Sequence, residues 1–387
     1  MRALRAWKYR LYPTRMQEVQ LEEHLGACRV LWNSLLEYVK TYYQQTGKFP
    51  SRKQLYAIAK PDFLFSQVAQ NVADRLHKAL MLMVKMKKAG RKAGFPRFKS
   101  EERMRSFCYP QFGFRLNGKK LELSKIGAIN IKKHRELEGE IKTLTIKKAR
   151  SGRWHAVFIT EKELTPASRD GESTGIDLGI ENFAYLSNGE VIPNPRHLKL
   201  GEERLKKAQQ MLSRKKKGSG NRTKARLKLA RAHEALANRR MDFLHKLSKK
   251  IAGAYSLIAL ENLDVKGMSG SFLAKHILDC GWTGFIHMLR YKAEEAGGAV
   301  VLVDPANTSQ RCSSCSRVAK KSLAERWHSC ACGASMHRDL NAAINILQRA
   351  TGGTPGSHAP GEAISTHYKV NGQISSVKEE AHGFSRG

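Results

Sequence analysis

Acid is what this chain is shortest of. Across 387 residues, 34 Asp and Glu face 69 Lys and Arg, a formal excess of +35. An excess of that size calls for a long polyanion, so nucleic acid is the leading partner and affinity is expected to fall steeply with salt. Long apolar runs are also missing. No stretch reaches the roughly 20 residues of a spanning helix. The opening MRALRAWKYRLYP alternates like a strand and presents no apolar signal core, so no membrane partner is expected. Cysteine is sparse outside one stretch: Cys28, Cys108 and Cys280 lie singly in apolar surroundings. No disulfide framework is legible, and a reducing compartment, cytosol or nucleoid, is expected.

The other four cysteines are close-set. Cys312/Cys315 and Cys330/Cys332 stand with fourteen residues between the pairs. Four thiolates spaced this way can close a tetrahedral shell around one structural Zn²⁺, each pair forming a knuckle, the C-x-C one tighter. Asp339 follows, with Leu340, Ala343, Ile344 and Leu347 at helical spacing. It reads either as the N-cap of that helix or as an acid held rigidly by the knuckle before it.

Elsewhere the hydrophobic period changes along the chain. Residues 1–13 alternate basic and apolar side chains (Trp7, Tyr9, Leu11) and stop at Pro13, a strand in search of a downstream partner. Val19, Leu21, Leu25, Cys28, Leu31, Trp32, Leu35 and Leu36 then form one helical stripe, and Val68, Val72, Leu76, Leu80 and Met83 a second. Residues 14–105 are therefore expected to be a helical module. It ends in a cationic stretch with GFPRFKS, whose Phe95 and Phe98 are either stacking platforms or core aromatics. From 107 to 164 the period is two, with turns at Asn117-Gly118 and Ser151-Gly152, which predicts a small antiparallel barrel that the first strand completes. Residues 165–173 read as a linker.

From 174, GIDLGIENFAYLSNGEVI reads as adjoining strands. Asp177 and Gly179 share one face, and the glycine leaves room for a backbone or a phosphate. Residues 201–250 read as a helical hairpin broken at 218–221, with seventeen basic residues against four acids, a density suited to a phosphate backbone. YSLIALE (255–261) is apolar enough to be buried on both faces of a sheet and ends on Glu261. Residues 267–272 are a lid or a plain loop, 278–296 a helix, 299–304 a last strand. The charge-balanced tail from 350 is expected to be disordered.

Three acids stand at element edges: Asp177 inside an apolar strand, Glu261 ending a buried one, Asp339 starting a helix. Singly each reads as a turn or cap acid. Together in a basic protein they suit two Mg²⁺ ions ~4 Å apart, which need a few hard oxygen ligands beside substrate phosphates.

The order GIDLG, ALENL, CSSC, CACG and HRDLNAA, with KYRLYPT and GFPRFKS before it, resembles the TnpB family of transposon-encoded RNA-guided nucleases over roughly residues 1–350. The resemblance implies a multidomain α/β and α+β chain. Its parts would be a wedge-type β-barrel (1–13 and 106–170), a helical recognition lobe (14–105), an RNase H-like RuvC nuclease domain (171–307 and 337–349), a zinc ribbon (308–336) and a tail (350–387). It implies Asp177, Glu261 and Asp339 as catalytic Mg²⁺ ligands and Cys312, Cys315, Cys330 and Cys332 as zinc ligands. The implied function is RNA-guided cutting of double-stranded target DNA beside a short motif. One chain would act per transposon-end guide RNA, in the cytoplasm or nucleoid of a bacterial or archaeal cell. The family often has Asp where His337 stands and Gly where Ser316 stands. Two other functions stay open: a DNA transposase, and a non-cleaving RNA-guided repressor.

Overall fold

The computed structural model describes residues 2–164, 169–268, 270, 273–322 and 325–352. The tail from 353, linker residues 165–168 and residues 269, 271 and 272 of the expected lid or loop lie outside the described residues. The chain forms two compact units. One comprises Met1–Gly171, Asn194–Ser256 and Val265–Ala299; the other comprises Glu172–Pro193, Leu257–Asp264 and the chain from Val300 on.

In the first unit, β1 (Arg2–Tyr12) points Trp7, Tyr9 and Leu11 inward and Arg2, Lys8 and Arg10 to the opposite face, as alternation dictates. It is the middle strand of a nearly closed seven-stranded sheet. The other strands are β2 (Ser106–Tyr109), β3 (Phe114–Asn117), β4 (Lys120–Leu123), β5 (Gly127–Lys132), β6 (Glu140–Lys148) and β7 (Trp154–Glu163), in the order β2-β6-β7-β1-β5-β4-β3. β1 pairs antiparallel with β7 from Arg2↔Glu163 to Leu11↔Trp154, and its end pairs with β5. Its partners thus lie more than a hundred residues downstream, and the helices between are an insertion.

That insertion holds α1 (Arg15–Thr46), α2 (Arg52–Ile58) and α3 (Ser66–Lys88). α1 starts in a Thr14/Gln17 capping box and ends at Gly47, whose φ of +67° suits glycine. The sequence stripe is its buried face, except that Val19 is exposed. Residues 91–100 return as an irregular strap sewn onto α1. Asn33 exchanges two hydrogen bonds with the Lys99 backbone (2.8 and 3.1 Å), and Trp32 Nε1 donates to the Arg97 carbonyl at 3.2 Å. Here the two readings of GFPRFKS separate. Phe95 packs against Tyr43 and Phe49 as a core aromatic, while Phe98 stays exposed beneath the Lys40 amine. Lys99 turns inward over the Trp32 ring, and burial pushes its amine down to about 8.

The same unit contains the expected hairpin, α4 (His197–Ser213) and α5 (Gly220–Ala254), with Ser219 capping α5. Glu234 of α5 meets Arg153 at 3.0 Å. Next come α6 (Val265–Met268), α7 (Ala274–Cys280) and α8 (Trp282–Glu295). One helix was expected over 278–296; Gly281 at φ +69° divides it into α7 and α8.

The second unit is built on a five-stranded sheet of β8 (Ser173–Leu178), β9 (Asn182–Leu186), β10 (Val191–Pro193), β11 (Leu257–Glu261) and β12 (Ala299–Val303), ordered β10-β9-β8-β11-β12. β8 pairs antiparallel with β9 and parallel with β11. The short ribbon β13 (Trp327–Ser329) and β14 (Ser335–His337) leads into α9 (Arg338–Ala350). Ile346 of α9 packs with Ala259 and Val303. No described helix is long and apolar enough to cross a membrane.

Candidate functional site

The seat of α9 is cut by a glycine. A Cβ on Gly175 would lie 2.1 Å from the Ala343 carbonyl oxygen and 2.7 Å from the Leu347 amide nitrogen, so only hydrogen at this position lets the helix lie on β8. Gly175, Asp177 and Gly179 alternate onto one face. The helix backbone approaches at Gly175, whereas the room expected beside Asp177 was at Gly179. Gly179 serves a tight turn, its would-be Cβ 2.8 Å from the Asn182 oxygen.

Asp177, Glu261 and Asp339 come from β8, the end of β11 and the first turn of α9. Asp177 is partly accessible yet closely surrounded by protein. Burial raises its pKa well above the ordinary value, the charges of Glu261 and Asp339 raise it further, and Arg338 opposes them. Both other acids are therefore near enough to repel it. Burial also raises Glu261, against a hydrogen bond from Thr308 and the charge of Arg349. Among the described residues no Lys or Arg approaches within 4.0 Å of any of the three carboxylates. Asp177 and Glu261 thus lie on neighbouring parallel strands, and Asp339 begins the helix that lies on β8.

Asp339 is not the N-cap. His337 takes that place, its Nδ1 accepting from the Asp339 amide at 3.2 Å, which leaves the Asp339 carboxylate, 3.9 Å from that nitrogen, free of capping duty. The His337 ring lies flat on Tyr185, with centroids 4.6 Å apart and planes 10° apart.

The four cysteines converge. Their sulfurs all lie within 4.8 Å of one another, with Cys312–Cys332 at 3.7 Å and Cys315–Cys330 at 3.5 Å. Burial works against the Cys312 thiolate, but the Cys315 amide and the His328 side chain outweigh it and bring the thiol down to about 7. The Cys332 amide likewise brings Cys330 to about 7; at Cys332 the Ala334 amide lowers the thiol, but hydrogen bonds with Cys315 and Cys330 outweigh it and push it up to about 11. Amides thus favour the first thiolates, while hydrogen bonds to neighbouring sulfurs hold the proton on the last, a donor set that a thiophilic cation completes. The set fits structural zinc, with four sulfurs and no open position.

Sequence reasoning missed the residues that join these two centres. On one face of α9, Asn341 accepts from the Ser313 amide at 2.9 Å and donates to the Arg311 carbonyl at 2.7 Å. Asn345 donates to the carbonyls of Thr308 (2.8 Å) and Arg311 (2.7 Å), and Gln348 to that of Ser313 (3.0 Å). The first cysteine knuckle is therefore clamped to the helix that carries Asp339. Thr308, itself buried, donates its hydroxyl to Glu261. The available signal was two asparagines four apart on the inward face of an amphipathic helix, where apolar residues are the rule.

Residues 155–271 match the family described as "Probable transposase", residues 282–346 that described as "Cas12f1-like, TNB domain", and residues 1–48 that described as "Helix-turn-helix domain". In this chain the last segment is β1 followed by one unbroken helix, α1. The fold is similar to that in a solved complex described as "Cryo-EM structure of the Cas12f1-sgRNA-target DNA complex", with a TM-score of 0.56 at 13% identity, covering 87% of this chain and 83% of that one. The chain is 35% identical over 360 residues to a "Putative RNA-guided DNA endonuclease" of Streptomyces pristinaespiralis, covering 89% of this chain and 88% of that protein. It is 31% identical over 375 residues to "Putative RNA-guided DNA endonuclease InsQ" of Escherichia coli strain K12, covering 90% and 92%. The chain belongs to the family of these relatives, the TnpB proteins.

Proposed function

We propose that this protein is an RNA-guided DNA endonuclease that hydrolyses target DNA at Asp177, Glu261 and Asp339. The observation that carries the reading is the placement of Asp177 on β8, Glu261 at the end of the parallel neighbour β11 and Asp339 in the first turn of α9, the helix seated on β8, in a chain whose net charge is +35. The strand order β10-β9-β8-β11-β12, with an antiparallel β8-β9-β10 meander and a parallel β8–β11 pair, supports an RNase H-like frame for residues 171–307 and 337–349. On this reading the seven-stranded sheet is the wedge barrel, residues 14–105 are the recognition lobe and residues 308–336 the zinc ribbon.

The three acids would hold two Mg²⁺, which when bound activate water and stabilise the leaving oxygen of an in-line displacement. The chain's own contribution is placement. Thr308 fixes the rotation of the Glu261 carboxylate, His337 caps α9 so that Asp339 projects from its first turn, and Asn341, Asn345 and Gln348 fasten that helix to the ribbon. The bound RNA would select the target by base pairing, and the protein would read only a short adjacent motif.

A DNA transposase could use the same acids with a 3′-hydroxyl in place of water, and a repressor would need none of them. Expression with native flanking DNA, purification in high salt and sequencing of the bound nucleic acid separates the three. One discrete RNA whose altered guide segment redirects cutting supports the proposal. Bound DNA ends support a transposase, and cutting indifferent to the guide refutes RNA guidance.

A further inference from the structure

Trp327 is 57% exposed, an unusual position for the largest side chain, yet it does not swing freely. Its indole Nε1 donates to Ser335 Oγ at 2.8 Å across the β13–β14 ribbon, and in that ribbon it stands opposite His337. The His337 ring meets the indole edge-on, with centroids 6.4 Å apart and planes 86° apart. The other side of His337 is backed by Tyr185, whose hydroxyl accepts from Asn182 at 3.0 Å. A fixed aromatic series thus runs from the buried Tyr185 through His337 to the open Trp327, and the residue beneath its middle member is Asp339.

We propose that Trp327 is a stacking platform for an unpaired nucleobase of a single DNA strand beside the candidate active site. The chemistry selects that occupant. The face of a rigid indole complements the π-face of any base, and stacking of this kind tolerates sequence. Bases inside a duplex are already stacked on each other and offer no free face. The surroundings are polar: Arg326, Ser329 and Ser335 are exposed, Arg326 pairing with Glu181 at 3.3 Å, and Arg338 brings positive charge suited to a phosphate backbone. A protein partner would need about 800 Å² of complementary surface, far more than one indole set among charged and hydroxyl groups provides. The choice of DNA over RNA rests on the nuclease reading proposed above, because a strand led to the carboxylates passes their neighbour.

The test is a cycle of binding measurements on the full-length protein with its copurified RNA, in buffer without Mg²⁺, so that no cleavage is required. One probe is a labelled single DNA strand without complementarity to the bound RNA; the other is the same length of abasic sugar-phosphate. Trp327→Ala is expected to weaken binding of the first probe about tenfold and to leave the second unchanged, and Trp327→Phe to restore most of the loss. Zinc content is measured in each variant, to show that the ribbon is intact. Equal losses on both probes, no loss on the normal strand, or loss of the bound RNA instead would overturn the proposal. If the platform behaves as expected but Mg²⁺ produces no cutting, the nuclease reading fails and the platform stands.

Discussion

Gly175→Ala is the sharpest single-methyl test of how the acids are held. Nothing in the backbone forbids alanine there, since the residue is not left-handed, so the effect is purely steric. The new methyl would sit 2.1 Å from the Ala343 oxygen, 2.7 Å from the Leu347 nitrogen and 2.9 Å from the Leu347 Cβ. Two of the three are backbone atoms of α9, which no rotamer change can move. Ordinary contact needs about 3.5 Å, so helix and strand must part by about 1 Å. Overpacking of this kind costs about 1–3 kcal/mol. Because α9 carries Asp339 and β8 carries Asp177, the separation acts on the reaction as well, where about 1 Å of misplacement is worth on the order of 10²-fold in rate. Urea unfolding would read the first quantity, and single-turnover cleavage with the native RNA the second. A variant with wild-type stability and wild-type cutting would refute the close seating of helix on strand.

Three further outcomes follow from the same geometry. Because burial and the two neighbouring acids raise Asp177, the native state keeps its proton above the ordinary 3.8, at pH values where the unfolded chain has released it, and stability falls as pH rises through that window. Asp177→Asn is accordingly expected to abolish cutting, leave RNA binding intact and raise the metal-free melting temperature at neutral pH but not at pH 3; a destabilised variant would contradict the crowding. Thr308→Val is expected to lower cutting and Mn²⁺ affinity (read by electron paramagnetic resonance) about 10- to 100-fold, with Thr308→Ser restoring both. Cys330→Ser is expected to reduce zinc from one per chain to near none by metal analysis and to lower the melting temperature, because the knuckle is clamped to α9; retained zinc would mean the thiolates are not the ligands.

The elements were legible where a period was legible. β1 could be read as a barrel strand because Trp7, Tyr9 and Leu11 alternate with cations, and α1 because its apolar stripe repeats at helical spacing. The thiol cluster was legible because metal ligation constrains spacing. What escaped has no period. Asn341 and Asn345 bond to carbonyls about thirty residues upstream, and Thr308 to a carboxylate 47 residues away. Side chains that satisfy distant backbone groups leave only the trace of a polar residue where an apolar one is expected. Lys99 misled for the opposite reason: it sits in a basic run yet turns inward onto Trp32. Gly281 inside an apolar pattern signalled a helix break, but the pattern continued through it and hid the break.

β1 also sets an order of events on the ribosome. Trp7 Nε1 finds its partner, the Thr160 hydroxyl, 153 residues later. At 5–20 residues per second the first strand waits on the order of 10 s for β7 to emerge, while α1 and α3 are already complete. For that interval it is an unpaired strand of alternating apolar residues, the kind that recruits other strands. Arg2, Lys8 and Arg10, on its outer face, repel a second copy of itself, so the charge that later suits a polyanion first guards the nascent chain.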